Sequence, residues 1–470
     1  MTDVLVQQRQ IVLTASPLQR VGAFALAALA KVTHPKQVTG QQFDVTVAEM
    51  TRHLQLTAKV AKPADPGGFW LSASYMLWPN SKINPTARGK QSPSERRALI
   101  EKWRIRADLS DWPDASCAYC GRRACGWFGK VDIPLGASVE HRNTTAPGQE
   151  GTPLCYPCVA SLWAFPYGAV LSGGMAAAIH SWDDTFLAPV TRDAVDRTLR
   201  AAQLPPAKVK PGPYARELQV LTEVRAYGHR INSDVELIVL SNSNKEQRLQ
   251  TQLMSQPIAE WLRSTYSRNS AGYPRLVDTQ ATKTVPGEAF LAKRAFSNPP
   301  AVLHAAASSL LERFSTTRRV PAEVITLKPL VRSYCIEVLS MDEKDVNRIT
   351  DLAGRLAALL GQDNRPGPFG DFMRANAKGG DLHGWFRSKS VDWLLKARPA
   401  GMPKILLPVQ DYRLLFDDEQ SWSHRRLLVF AVMEALAQNN WQPKGSPEEL
   451  EDIADTAAIA ADNNNGEEDR

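Results

Sequence analysis

The chain has no hydrophobic run long enough to cross a bilayer. Its most apolar early stretch, Val21–Ala30, is half of the roughly twenty residues that a spanning helix needs. The segment around Gln7-Gln-Arg-Gln10 is not a basic leader, and no cleavage site follows it, so a cytoplasmic protein is expected. The chain also lacks G-x-G-x-x-G, a Walker A loop, H-E-x-x-H and G-x-S-x-G. That removes the common dinucleotide, phosphate-loop, zincin and serine-hydrolase sites. Histidine is scarce, at 8 in 470 residues, and His229, His304, His383 and His424 are too scattered to form a ligand set. Asp183-Asp184 is expected to cap a helix or turn rather than to act as a catalytic pair.

Cysteine is scarce too, but not randomly placed. Of 6 cysteines, four form two C-x-x-C pairs, Cys117-Ala-Tyr-Cys120 and Cys155-Tyr-Pro-Cys158. A two-residue gap lets both thiolates of a pair reach one ion, and two pairs complete a tetrahedral zinc site. Gly121 follows the first pair, where a knuckle turn requires positive φ. Pro157 lies inside the second, just ahead of Val159-Ala-Ser-Leu-Trp-Ala-Phe165, as if the knuckle opened into a helix. A disulfide would need an oxidising compartment, a redox motif would need only one pair, and the spacing does not support an iron–sulfur cluster. Cys125 and His141 are spare ligand candidates that rank below the paired four. A closed site of Cys117, Cys120, Cys155 and Cys158 has no open position, so the zinc is expected to be structural.

The net charge of +7 conceals a division. Residues 447–470 hold nine acids and one base, and removing this net −8 from +7 leaves +15 on the rest. A body this basic suits a nucleic-acid partner, with a solvated basic surface as the plain alternative. Two basic, amide-bearing stretches stand out. One is Pro79–Lys90, with Asn80, Lys82, Asn84, Arg88 and Lys90; the other is Ser267–Arg275, with Arg268 and Arg275. Asn reads adenine edges, whereas Lys and Arg read guanine or phosphate. Both stretches are expected to be loops, and the first could equally be an ordinary connection.

Along the chain, Ile11–Thr14 reads as a strand, Leu18–Ala30 as a buried helix and Phe43–Leu56 as a second helix. Phe69–Trp78 fits either strand or helix, and Ser94–Arg106 is a basic helix. Gly168–Gly174 is a turn region, Val235–Leu240 a strand and Gln247–Tyr266 a helix. Val302–Phe314 is helical, and Val346, Ile349, Leu352, Leu356 and Leu359 form a helical stripe. The fold class is therefore α+β: a mixed N-terminal body with an inserted four-cysteine zinc module, then a C-terminal helical bundle and a disordered acidic tail. The expected parts are an α+β region 1–111, a zinc module 112–170, the remainder of the body 171–335, a bundle 340–444 and a tail 445–470.

One catalytic alternative competes. HNH endonucleases place a catalytic His between two C-x-x-C pairs, and Glu140-His141 lies there. The Asn expected before the second pair is missing, and Val159 stands where a His or Asn would follow it.

Several separate stretches resemble the large subunit of the type I-B CRISPR Cascade effector, in its zinc-finger-bearing branch. Leu13-Thr-Ala-Ser-Pro-Leu-Gln-Arg-Val-Gly22 is similar to that family's N-terminal motif, departing from it at Ala15-Ser16 and at Arg20, where an Asp is expected. Trp78-Pro-Asn-Ser81, the cysteine module running into Ala164-Phe-Pro-Tyr-Gly168, and the helix Arg425–Leu436 are similar to further parts. The resemblance implies a non-catalytic subunit that binds guide RNA, double-stranded target DNA, its displaced strand and the Cascade backbone subunits. It would recognise the target-flanking motif and recruit a helicase-nuclease or a transposition adaptor. It further implies a small subunit translated from an internal start, for which Met341 is the candidate, and no membrane partner.

Overall fold

The computed structural model describes residues 6–85, 90–136, 151–204, 211–242, 246–317, 319–377, 379–395 and 401–444. It is a mixed α+β protein that divides into two compact units. One comprises 1–216 with 231–256, the other 217–230 with 257–470. The helices after residue 257 thus group with those after 340, whereas the sequence pattern assigned 171–335 to the first body.

In the first unit, α1 (Pro17–Leu29) starts at Ser16, whose side chain accepts from the Gln19 N–H, with Pro17 in the first turn. Every residue of α1 from Gln19 to Ala27 is buried. The segment before it forms no strand with any described residue. Its polar groups go instead to Gln19, which is fully buried, donates to the Val12 carbonyl (2.8 Å) and accepts from the Thr14 hydroxyl (2.9 Å). Next, α2 (Gly40–Gln55) opens on a reciprocal cap between Thr39 and Gln42, several residues earlier than the apolar pattern suggested. Phe69–Trp78 resolves as helix α3 (Phe69–Leu77). Helix α4 (Pro93–Arg104) is capped by Ser92 and Glu95.

Strands β1 (Gly126–Phe128) and β2 (Thr152–Leu154) form a small antiparallel ladder, followed at once by α5 (Tyr156–Ala164). The larger sheet is antiparallel in the order β3 (Ala169–Ser172), β4 (Met175–Ser181), β5 (Val235–Asn242), β6 (Gln247–Met254). Gly173 and Gly174, at φ 59° and 77°, make the tight turn between β3 and β4, so a strand occupies most of the expected turn region. Helix α6 (Asp184–Gln203) leaves β4 through Asp183, whose carboxylate accepts from the N–H groups of Thr185 and Phe186, the capping role expected of that acid.

Gln247–Met254 is a strand, where the sequence suggested that a helix begins. Gln-Arg-Leu-Gln-Thr-Gln-Leu-Met is mostly exposed, and β5 supplies its backbone partners. Ladder hydrogen bonds outweigh the helix preference of Gln and Leu here. The helix begins only at α8 (Gln256–Arg268), after α7 (Ala215–Ala226).

One hydrophobic core joins α1, α3, the cysteine segment, α5 and the sheet, from Val21 and Phe24 through Trp78 and Cys158 to Ile238 and Leu240. At its centre α1 and α5 touch through backbone. A methyl group at Gly22 would lie 1.8 Å from the Ser161 carbonyl oxygen.

The second unit is helical, with α9 (Gly272–Gln280), α10 (Gly287–Ser297), α11 (Pro300–Thr317), α12 (Glu323–Glu337), α13 (Glu343–Leu360), α14 (Gly367–Ala377), α15 (Gly379–Leu395), α16 (Val409–Phe416) and α17 (Ser421–Gln438). The stripe from Val346 to Leu359 is buried, as its spacing suggested. A buried ion pair ties α13 to α16, Arg355 to Asp411 at 2.5 Å, and Arg355 Nε also donates to the Leu406 carbonyl. The acidic tail lies outside the described residues.

Candidate metal centre

The first C-x-x-C pair sits on a backbone knuckle. The Cys117 N–H donates to the Arg122 carbonyl (2.6 Å) and the Gly121 N–H to the Cys117 carbonyl (2.9 Å). Gly121 holds φ 74°, the left-handed geometry that closes this turn. The N–H groups of Ala118 and Cys125 donate to the carbonyls of Pro153 and Leu154, which fastens the knuckle to β2. Cys155 then caps α5 and Cys158 lies in its first turn, with Pro157 between them. The helix N-terminus thereby points its partial positive charge at the thiols.

These constraints bring the Sγ atoms of Cys117, Cys120, Cys155 and Cys158 within 4.8 Å of one another. Cys120 and Cys155 are 3.5 Å apart, and all six cysteines are free thiols. A tetrahedron with metal–sulfur bonds of about 2.3 Å has edges of about 3.8 Å, so the donor set fits a four-coordinate ion. Three of the four are buried and Cys120 is half-buried. Sulfur hydrogen bonds, first from Cys120 and then from Cys155 and Cys158, draw the Cys117 thiol far below its ordinary range. The reciprocal contacts, Cys117 foremost, push Cys158 far above it. Cys120 is also lowered, against its contact with Cys117, whereas Cys155 is raised, by Cys117 foremost, so ionisation of all four sulfurs is opposed, which is the condition a divalent cation relieves. Cys125 is buried apart from the cluster, and burial pushes its thiol up to about 12, the behaviour of a neutral core residue. His141 and Glu140 lie outside the described residues.

No protein-family model matches the chain, and no curated protein sequence matches it either.

The expected nucleic-acid contacts are distributed unevenly. Asn80 is exposed and holds φ 62°, a conformation that Asn tolerates better than most residues. Lys82 and Lys90 are exposed, and Arg88 lies outside the described residues. Asn84 departs from the expectation. It is 2% exposed, and its side-chain oxygen accepts from the Ser81 hydroxyl at 3.0 Å, so it braces the turn instead of facing solvent. Arg268 and Arg275 belong to the other unit and lie on helices rather than on a loop: Arg268 closes α8, and Arg275, within α9, faces Asp278 at 3.6 Å.

Two residues that order this region carried no sequence signal. Asn242 ends β5 fully buried and donates to the carbonyls of Leu77 and Lys130 (2.9 and 3.1 Å). Arg104 ends α4 beneath three indole rings. Each serves a contact distant in sequence, which no local spacing reveals. No described helix is long and apolar enough to cross a membrane.

Proposed function

We propose that this chain is the large subunit of a CRISPR RNA-guided DNA surveillance complex of the Cascade type. It acts in the cytoplasm as a non-catalytic nucleic-acid-binding protein whose four cysteines hold one structural zinc ion. It recognises the motif flanking the target, helps to open the duplex, and recruits a trans-acting nuclease or transposition machinery. Guide pairing reads the target itself. The observation that carries this reading is convergence. The stretches similar to that family, Leu13–Gly22, Trp78–Ser81 and Cys117–Gly168, are remote in sequence, yet residues of all three meet in one hydrophobic core. Four cysteines occupy every position of a tetrahedral ion, which favours a structural over a catalytic metal.

The test is reconstitution with guide RNA and backbone subunits, followed by selection from a library of randomised flanking sequences. Asn80→Ala is expected to change the preferred flanking motif. Lys82→Ala and Lys90→Ala are expected to weaken binding to all sequences and each to lower the salt slope by about one. Assembly and motif selection that proceed equally well without the chain overturn the proposal. Metal-dependent DNA cutting by the purified chain, abolished by His141→Ala, would transfer the assignment to an HNH-type endonuclease.

A small subunit starting at Met341 belongs to the same proposal. Asp342 caps α13 by accepting from the Lys344 N–H, so that helix starts without help from residues upstream. Met341 itself is buried, and its N–H donates to the Cys335 carbonyl, a contact the shorter product loses. Mass spectrometry of the natively expressed complex decides the matter: a species beginning at Met341 and lost in Met341→Leu supports it, and full-length chain alone in an active complex rejects it.

A further inference from the structure

The outward face of α15 ends in an apolar stripe that the described residues leave open. Val391, Leu394 and Leu395 stand at i, i+3 and i+4, and the two leucines are 68% and 81% exposed. Trp393, on the other side of the helix, is buried and donates from Nε1 to the Pro403 carbonyl (3.0 Å), so the inner face of α15 is already packed. Large apolar side chains gathered on one open face mark a surface that something covers. The surroundings are basic. Residues 387–404 hold five bases and one acid, and exposed Arg387 lies one turn before Val391 on the same face.

The chain itself carries a segment that fits. The described residues end at Lys444, whose N–H donates to the Asn364 carbonyl, while Trp441 Nε1 donates to the carbonyl of Asp363 (3.1 Å). Helices α14 and α15 fold back on each other, since the rings of Phe372 and Trp385 are 5.2 Å apart. Eight residues outward from that pair, along the two arms, lie Asn364 and Trp393. The chain therefore exits about level with the apolar stripe. Next comes Ser446-Pro447-Glu448-Glu449, the pattern with which Ser92-Pro93-Ser94-Glu95 caps α4 reciprocally. Beyond it Leu450, Ile453, Ala454 and Ala457 fall at i, i+3, i+4 and i+7, and residues 447–461 hold five acids and no base. A segment so acidic, with so few large apolar residues, does not fold by itself and needs a surface that is both apolar and basic.

We propose that residues 447–461 form an amphipathic helix that docks on this face of α15. Leu450 and Ile453 cover Val391, Leu394 and Leu395, and the carboxylates of the helix turn toward Arg387 and its basic neighbours. The apolar anchors give the contact its grip and the opposite charges its orientation. Because the segment is tethered by only a few residues, its effective concentration at the face is in the millimolar range, so an interface of a few side chains suffices. Docked there, the tail withholds the face and Arg387 from any other partner until it is displaced. The inference stands whether or not the chain serves a surveillance complex.

Hydrogen exchange of the full chain, read by mass spectrometry, tests this. The amides of 450–461 are expected to exchange at least about tenfold more slowly than in a free peptide of the same sequence. Leu395→Glu and Ile453→Asp, one on each side of the contact, should each restore the free-peptide rate. Leu395 is exposed, so the first change should leave the melting temperature of the chain as it was. Photocrosslinking supplies an independent arm: p-benzoylphenylalanine in place of Leu395 should join to residues 448–461 at monomer mass. Exchange of 450–461 at the free-peptide rate or protection that survives Leu395→Glu would overturn the proposal. So would crosslinks found only at dimer mass, which would mean that a second copy covers the face, or crosslinks to any other segment.

Discussion

At the scale of single residues, Gly22 shows how little room the core leaves. Its missing side chain allows α1 to rest on the backbone of α5, and a methyl group would need the Ser161 carbonyl to move. Gly22→Ala is therefore expected to cost about 3 kcal/mol or to prevent folding, measurable by denaturant unfolding. A cost below about 1 kcal/mol would mean that the two helices separate easily. Two histidines make a prediction about acidity. Burial lowers the pKa of His180, against the pull of its partner Glu236 at 2.9 Å, and burial also lowers that of His53, which meets the Tyr167 hydroxyl at 2.9 Å. Each is depressed below the ordinary 6.5, so the unfolded chain takes up protons that the folded chain refuses. Stability from these groups is complete above about pH 6.5 and falls as pH drops below it. Melting temperatures between pH 7 and 5 should decline less in His180→Gln than in the parent; equal declines would remove His180 from the account.

At the scale of elements, the cysteine knuckle is the part most plainly legible in the sequence. Spacing gave the ligand set, Gly121 the turn and Pro157 the start of a helix, because all three are local backbone requirements. Helices with a strong apolar stripe, such as α13, were legible for the same reason. What failed to show was pairing. Gln247–Met254 is a strand only because β5 lies beside it, and Ile11–Thr14 is not one because no neighbour pairs with it. The Asn84 amide looked like a reader of bases but belongs to a turn, since Ser81 three residues earlier supplies its partner. Arg104 was invisible, its three rings coming from positions 78, 103 and 163. The knuckle yields a direct prediction: metal analysis of purified protein should find about one zinc per chain. Cys120→Ser should lose it and lower the melting temperature. Stable, metal-free wild-type protein would contradict a structural ion.

At the scale of the whole molecule, the two units are interleaved along the chain. Residues 217–230 belong to the helical unit, yet the chain returns to the first unit for 231–256. Cutting at 216 therefore removes β5 and β6, half of the larger sheet, whereas cutting at 256 retains α7 residues such as Val220, Leu221 and Val224, which are buried in the whole protein. Residues 1–216 are expected to be insoluble. Residues 1–256 with 217–230 replaced by a Gly/Ser linker are expected to be soluble and to bind metal. Soluble, metal-loaded 1–216 would show that the last two strands are dispensable.

The same interleaving sets an order of events during synthesis. β4 leaves the ribosome with β3 already beside it, but its other edge waits for β5, which begins more than fifty residues later, at Val235. At about 5–20 residues per second that wait lasts roughly 3–10 s. Throughout it a nascent strand of Ala, Ile and Met presents open backbone to its neighbours on the polysome. Slow codons between 182 and 235 would lengthen this exposure, and fast ones would shorten it. The yield of this protein in a foreign host should therefore respond to silent changes in that one interval more than to silent changes elsewhere.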